Sequence, residues 1–377
     1  MVPDPLKPAG LRFTVLRKIL GLTQAGMAEQ LGITQPFLSQ VSRGERPVPD
    51  ALMVDASRIF GVPTSFFTVQ HVYSDPGPVT FRKNSRASSR DEDRIVALYD
   101  EVSRVFDSIS ERSGYHFADL PDPNDYESDP ELVAEAMRHI AGLGPEDPVL
   151  NATRSLERLG IGVVDNLDAL DAEARGHTAV SRPSWRNSRP LIALIAEVPG
   201  AVKRLTMLHE VGHLIFDRDL SGPVSGTRSL EERRAYKFAS AYLLPEKVAR
   251  NRISETLTLH GYLPIKADYG VSVGAMIIRA RDLGIVSSGR ARSLQIQLSS
   301  QGWRTNEPVS VADEKPLLIG QALRKVYGRQ ATARAAHDLG VAPDWINRWI
   351  HAETEGAGPE PDNVINFAER VQALRAG

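Results

Sequence analysis

The chain has 377 residues, with 45 basic and 47 acidic side chains giving a formal net charge of −2. That length calls for two to four compact units, and the near-neutral balance excludes wholesale coating of nucleic acid while leaving room for a local DNA-reading module. Zero Cys excludes disulfides and thiolate-held zinc, and no apolar run approaches a membrane span, so a cytoplasmic protein away from the membrane is expected. The start, Met1-Val2-Pro3-Asp4-Pro5, agrees in lacking the apolar centre of a signal peptide.

Residues 11 to 67 read as a string of short helices. Leu11, Val15, Leu16 and Ile19 form an apolar stripe that ends at Gly21. Thr23 caps a second helix, Gln24 to Leu31, and after the Gly32-Ile33 turn Thr34 caps a third, with Leu38 and Val41 facing inward. Pro47-Val48-Pro49-Asp50 opens a fourth, carrying Leu52, Ala56 and Ile59. Two short helices joined by a glycine turn, with small Ala28 at their crossing, make the helix-turn-helix pattern.

The run Leu16-Arg17-x-x-x-Gly21-Leu22-Thr23-Gln24-x-x-x-Ala28-x-x-Leu31-Gly32-Ile33-Thr34-Gln35 is similar to the XRE (lambda-repressor-like) DNA-binding family. The resemblance implies a third helix in the major groove, with Gln35, Phe37, Ser39, Gln40 and Arg43 as DNA contacts and Gln24 buttressing or touching phosphate. The chemistry agrees, since Gln pairs bidentately with adenine while Arg43 can meet guanine or phosphate. It also implies an operator of paired half-sites read by a homodimer.

Asp75-Pro76-Gly77-Pro78 and the basic stretch from Arg82 to Arg90 read as a linker, either solvated surface or a track for DNA phosphate. A helix bearing Ile95, Leu98, Val102, Val105 and Ile109 follows, then a Pro/Asp-rich break at 120–125. Helices are expected at Pro130 to Ala141 and Val149 to Leu159, with strands at 161–164, 176–181 and 191–195. A small sheet of this kind floors a cleft, and its edge could hold an extended peptide. His177 is a candidate substrate or oxyanion contact, or an ordinary surface histidine; Tyr236 stands in a similar position.

His209-Glu210-Val211-Gly212-His213 falls within a helical run from Arg204 to Phe216. The spacing of four sets both imidazoles on one face, one turn apart, where two nitrogens reach a single ion. Glu210 can then act as general base on the water that zinc activates. A catalytic zinc needs a third protein ligand, and without Cys it must be His, Asp or Glu. The helix from Glu231 to Leu244 offers Glu232, whose face carries Ala235 and Ala239 for close packing; Glu231 is the alternative.

Arg-Leu-Thr-Met-Leu-His-Glu-Val-Gly-His-Leu, followed by Glu-x-x-Ala-x-x-Phe-Ala-x-x-x-Leu-Leu-Pro, resembles the ImmA/IrrE metallopeptidases. The resemblance implies a Zn2+ cofactor on His209, His213 and Glu232, with Glu210 as base. Many relatives carry a second acid directly before the alanine, where this chain has Arg234.

Residues 266 to 308 are expected to support the cleft, closed by Trp303. Leu323-Arg324-Lys325-x-x-Gly328 and Ala336-x-x-Leu339-Gly340-Val341 echo the N-terminal unit, as Pro359-Glu360-Pro361-Asp362 echoes Pro47-Val48-Pro49-Asp50. Asp344, Trp345, Asn347 and Arg348 then fall on a second recognition helix, for DNA, for dimerisation or for a protein partner. The expected architecture is mainly α with a small β-sheet, divided as 1–70 helix-turn-helix bundle, 71–128 basic linker and helix, 129–265 α+β zincin-like peptidase core, 266–312 helical support, and 313–377 second helix-turn-helix-like unit. The function expected is a DNA-binding regulator whose endopeptidase cleaves a repressor- or antitoxin-like protein; the alternative is a non-proteolytic regulator using the zinc fold as sensor or docking surface.

Overall fold

A computed structural model describes residues 7–69, 79–83, 88–168, 177–184, 187–195, 198–220 and 229–351. Four helices open it: α1 (Lys7–Ile19), α2 (Gln24–Gln30), α3 (Gln35–Ser42) and α4 (Asp50–Phe60). Thr23 and Thr34 cap α2 and α3 by accepting the Gly26 and Phe37 N–H groups. Phe13, Leu16, Ile19, Met27, Leu38 and Val41 close the bundle core. Leu11 and Ile59 are instead exposed, at 44% and 43%. The face of α1 is turned because it packs on two partners, and Arg12 is drawn fully inside by an acid on the next long helix.

Part of the expected linker is strand, while Asp75-Pro76-Gly77-Pro78 lies outside the described residues. Strand β1 (Thr80–Lys83) joins the sheet, and α5 (Ser89–Ser113) buries Ile95, Leu98, Val102, Val105 and Ile109 along one stripe. Just past the basic stretch, the Arg94 guanidinium grips Asp168 at 2.7 and 2.8 Å. A four-residue strand is too short to show a period, which is why charge and proline dominated the reading of that stretch.

Next come α6 (Pro130–Ile140), α7 (Ala152–Arg158), β2 (Gly162–Val164), β3 (His177–Ser181) and β4 (Leu191–Leu194). Among the described residues the sheet runs β1-β3-β4-β2, with β2 parallel to β4 and the other pairs antiparallel. Alternation sends Val163, Ala179, Ile192 and Leu194 into one core and Val164, Val180, Leu191 and Ala193 into another. The first core holds α8 (Gly200–Phe216), α9 (Leu230–Leu243), α10 (Glu246–Arg252), α11 (Leu263–Tyr269), α12 (Val273–Asp282) and α13 (Ser288–Ser300). The second holds α5 and the N-terminal bundle. The fold is mainly helical with this one small sheet, as the periodicity implies. Among the described residues no helix is long and apolar enough to cross a membrane.

The last helices, α14 (Leu318–Tyr327), α15 (Ala331–Leu339) and α16 (Pro343–Trp349), pack on the chain itself. Ser65 Oγ donates to the His337 carbonyl at 2.6 Å, and Trp345 meets Phe66 edge-on with centroids 6.2 Å apart. Trp349 is 1% exposed and its indole N–H reaches the Leu167 carbonyl at 3.4 Å. Trp345 is half-buried and spends part of its ring on this intramolecular contact, while Asp344 on the same helix is exposed. The echo at Pro359–Asp362 lies outside the described residues.

Candidate metal centre and DNA-reading helix

Helix α8 is buried from Lys203 to Ile215, held by Leu208, Val211, Leu214 and Ile215 on the surrounding core. That packing fixes His209 and His213 one turn apart, with their Nε2 atoms at 3.1 Å. On α9, Ser229 caps the helix by accepting the Glu232 N–H at 3.2 Å. Glu232 Oε2 then stands 3.2 Å from His209 Nε2, and Oε1 stands 3.6 Å from His213 Nε2. The ligand atoms of His209, His213 and Glu232 all lie within 4.8 Å of one another. Glu232, rather than Glu231, faces the imidazoles among the described residues.

The approach of α9 depends on Gly212. A Cβ there would meet Ala235 Cα at 2.7 Å, so any side chain drives the two ligand helices apart. Gly212→Ala is expected to cost about 1–3 kcal/mol, as overpacking does in a tight core. Urea unfolding measures that loss, and a zinc titration should show weaker binding as Glu232 is displaced.

The donor set fits a divalent cation. Burial opposes charge on His213, but hydrogen bonds to Asp217 and Glu232 and the field of Glu210 outweigh it and lift its pKa to about 10. Burial likewise raises Glu232, yet the two histidines hold it down to about 2. Two imidazole nitrogens and one carboxylate converge where charge is otherwise costly, and these are zinc's donor types in an open three-ligand site. Glu210 is fully buried; its Oε2 accepts from Ser181 Oγ at 2.6 Å and Thr80 Oγ1 at 3.4 Å. Its Oε1 has no hydrogen-bond partner among the described residues, which suits a carboxylate built to take a proton.

Asp217, absent from the sequence reading, completes the centre. Its Oδ2 accepts from His213 Nδ1 at 2.5 Å, which leaves Nε2 free to act as ligand, and its Oδ1 accepts from Arg234 at 2.5 Å. Arg234 also donates to the Phe216 carbonyl and lies over the Phe216 ring. The departure noted at Arg234 is thus a support for the histidine's own partner. The signal was available, because Asp217 follows His213 at a spacing of four. Asp217→Asn should lower zinc affinity about 10–100-fold, as loss of such a partner does, read by competition with a chromophoric chelator.

Other expected contacts fall elsewhere. The His177 side chain lies outside the described residues, although its backbone is in β3. Tyr236 lines a cavity of about 580 Å³ with Leu205, Ile278 and Trp303, and none of the three ligand residues lines it. On α3, Gln35 is exposed while Ser39 and Gln40 are half-exposed; Arg43, just past its end, is exposed, and Gln24 is half-exposed at the start of α2. Phe37 packs partly on the bundle core under Arg46. Arg43 meets Glu45 at 3.2 Å, both exposed, so that pair restrains it little.

Residues 157–281 match the M78 peptidases described as the IrrE N-terminal-like domain, and residues 16–67 match a helix-turn-helix family. The chain is 26% identical over 286 residues to a protein of Cereibacter sphaeroides named propionyl-CoA carboxylase regulator, covering 66% of this chain and 59% of that protein. No solved structure matches the chain. By these matches the chain joins an XRE-type helix-turn-helix domain at its N-terminus to an ImmA/IrrE-like M78 peptidase domain at residues 157–281.

Proposed function

We propose that this chain is a cytoplasmic DNA-binding transcriptional regulator with a zinc-dependent endopeptidase centre, cleaving a repressor- or antitoxin-like protein. The observation that carries this reading is the convergence of His209, His213 and Glu232 beside the buried Glu210 carboxylate. His209, His213 and Glu232 would hold zinc, which supplies a polarised carbonyl and a water of lowered pKa when bound. Glu210 would take the proton from that water and return it to the departing amine. Asp217 keeps the His213 ring oriented throughout.

Gln35, Ser39, Gln40 and Arg43 would read bases and phosphate, with Gln24 on the backbone and Phe37 at the groove edge, in a homodimer on paired half-sites. The working division is 1–70 for DNA, 129–265 for the peptidase and 266–312 for its support. Residues 71–128 would be the linker and helix between them, and 313–377 a second helix-turn-helix-like unit. A second reading, a regulator that uses the metal fold without proteolysis, is favoured by the matched relative's name and by the full burial of Glu210.

Two assays on the intact chain test the proposal. Selection from random duplexes should yield a paired operator, and comparison of protein N-termini in cells with and without the chain should show a new terminus. Operator binding with no new terminus supports the second reading, and the absence of both overturns the first.

A further inference from the structure

A general base must reach the water whose proton it takes, yet Glu210 is 0% exposed. The chain itself covers it. Strand β1 pairs antiparallel along β3, with Thr80 opposite Ser181, and among the described residues is the outermost strand of the sheet. Thr80 is 1% exposed, and its Oγ1 lies 2.8 Å from Ser181 Oγ and 3.4 Å from Glu210 Oε2.

We propose that Thr80–Lys83 occupies the sheet edge on which an extended peptide substrate pairs, and that the peptidase centre opens only when β1 leaves β3. The inference rests on the peptidase reading above. A peptide added to β3 would run where β1 now runs, alongside the Glu210 carboxylate. A peptide added outside β1 would stand one more strand spacing away, about 4.8 Å, and beyond hydrogen-bond reach of that carboxylate. The edge of β3 is therefore the productive one, and it is taken.

The exchange is energetically modest. β1 is four residues long and its register shifts between Arg82 and Lys83, so the ladder is short and irregular. An incoming strand restores the same backbone hydrogen bonds, so the contest is one of concentration. A strand tethered by a short chain competes at an effective concentration on the order of millimolar, which excludes a micromolar peptide by roughly a thousandfold. In the sequence, β1 lies between the DNA-reading bundle and α5.

The chain has no Cys, so Thr80→Cys with Ser181→Cys would introduce a single disulfide between directly opposed strand positions. The probe is EDTA, and the readout is the rate at which the zinc-loaded chain gives up its metal. The oxidised double variant should release zinc at least about tenfold more slowly than the same variant after reduction, because the tethered strand can no longer exchange. As a second variant, Arg82→Pro weakens the ladder. It should release zinc faster than wild type, and hydrogen exchange should rise in β3 while α8 stays protected. Equal zinc release in the oxidised and reduced forms, or loosened β3 with unchanged release, overturns the strand inference alone. A wild-type chain that takes up no zinc overturns the peptidase reading instead.

Discussion

Glu210→Gln is expected to keep zinc and DNA binding while lowering peptide hydrolysis about 10²–10⁴-fold, the range lost with a positioned general base. The amide is isosteric with the carboxylate. Its oxygen can still accept from Ser181 Oγ, and its NH2 takes the place of Oε1, which lacks a hydrogen-bond partner among the described residues. The fold therefore has no reason to rearrange, and Glu210 is not among the converging ligand atoms. What disappears is the capacity to hold a proton between attack and departure. Metal analysis, operator binding and cleavage of the identified substrate should be measured on one preparation. If cleavage stops while regulation in the cell is unchanged, proteolysis is not how the chain regulates.

Glu101→Ala should cost about 3–5 kcal/mol of stability, because it strands buried cations. Arg12 and Glu101 are both fully buried and form a two-pronged pair, with Arg12 Nη2 at 2.9 Å from Glu101 Oε2. Arg12 also donates to the Phe66 carbonyl at 2.8 Å and lies 3.7 Å over the Phe66 ring, while Arg104 meets the same glutamate at 2.8 Å. These contacts dock the N-terminal bundle on α5. The double change Arg12→Met with Glu101→Leu should recover much of the loss, since a well-packed apolar pair replaces a buried ion pair at little cost. Burial pushes Glu101 upward, but Arg12 and Arg104 outweigh it and hold its pKa at about 2, against an ordinary 4.5. An acid depressed on folding contributes stability that is present above 4.5 and is lost as pH falls toward 2. Urea unfolding followed by tryptophan fluorescence should show that the variant has lost this part of the acid dependence.

The elements with local grammar were legible. Thr23 and Thr34 announce their helices, and the spacing of His209 and His213 fixes their geometry before any packing is known. The small residues beside Glu232 make it a candidate, the family resemblance favours it over Glu231, and Ala235 does lie against Gly212. Long-range pairings were not legible. Nothing near Thr80 signals that it will lie opposite Ser181, 101 residues away, because a strand four residues long carries no period. Nothing in the α1 sequence marks Arg12 for burial, because its partner, Glu101, stands 89 residues on. Trp345 sits where a recognition helix would expose it, yet its partner is Phe66 at the far end of the sequence. Asp217 is different, since its His-x-x-x-Asp spacing from His213 is local and plain in the sequence.

The zinc content of the purified chain, wild type beside Glu232→Ala and His213→Ala, bears most directly on the metal centre. The expected result is about one zinc per wild-type chain and none retained in either variant after dialysis, as for a site with three protein ligands. A wild-type chain that holds no metal after zinc is supplied, or variants that hold as much as wild type, would contradict the centre and leave a DNA-binding protein with a peptidase-like fold.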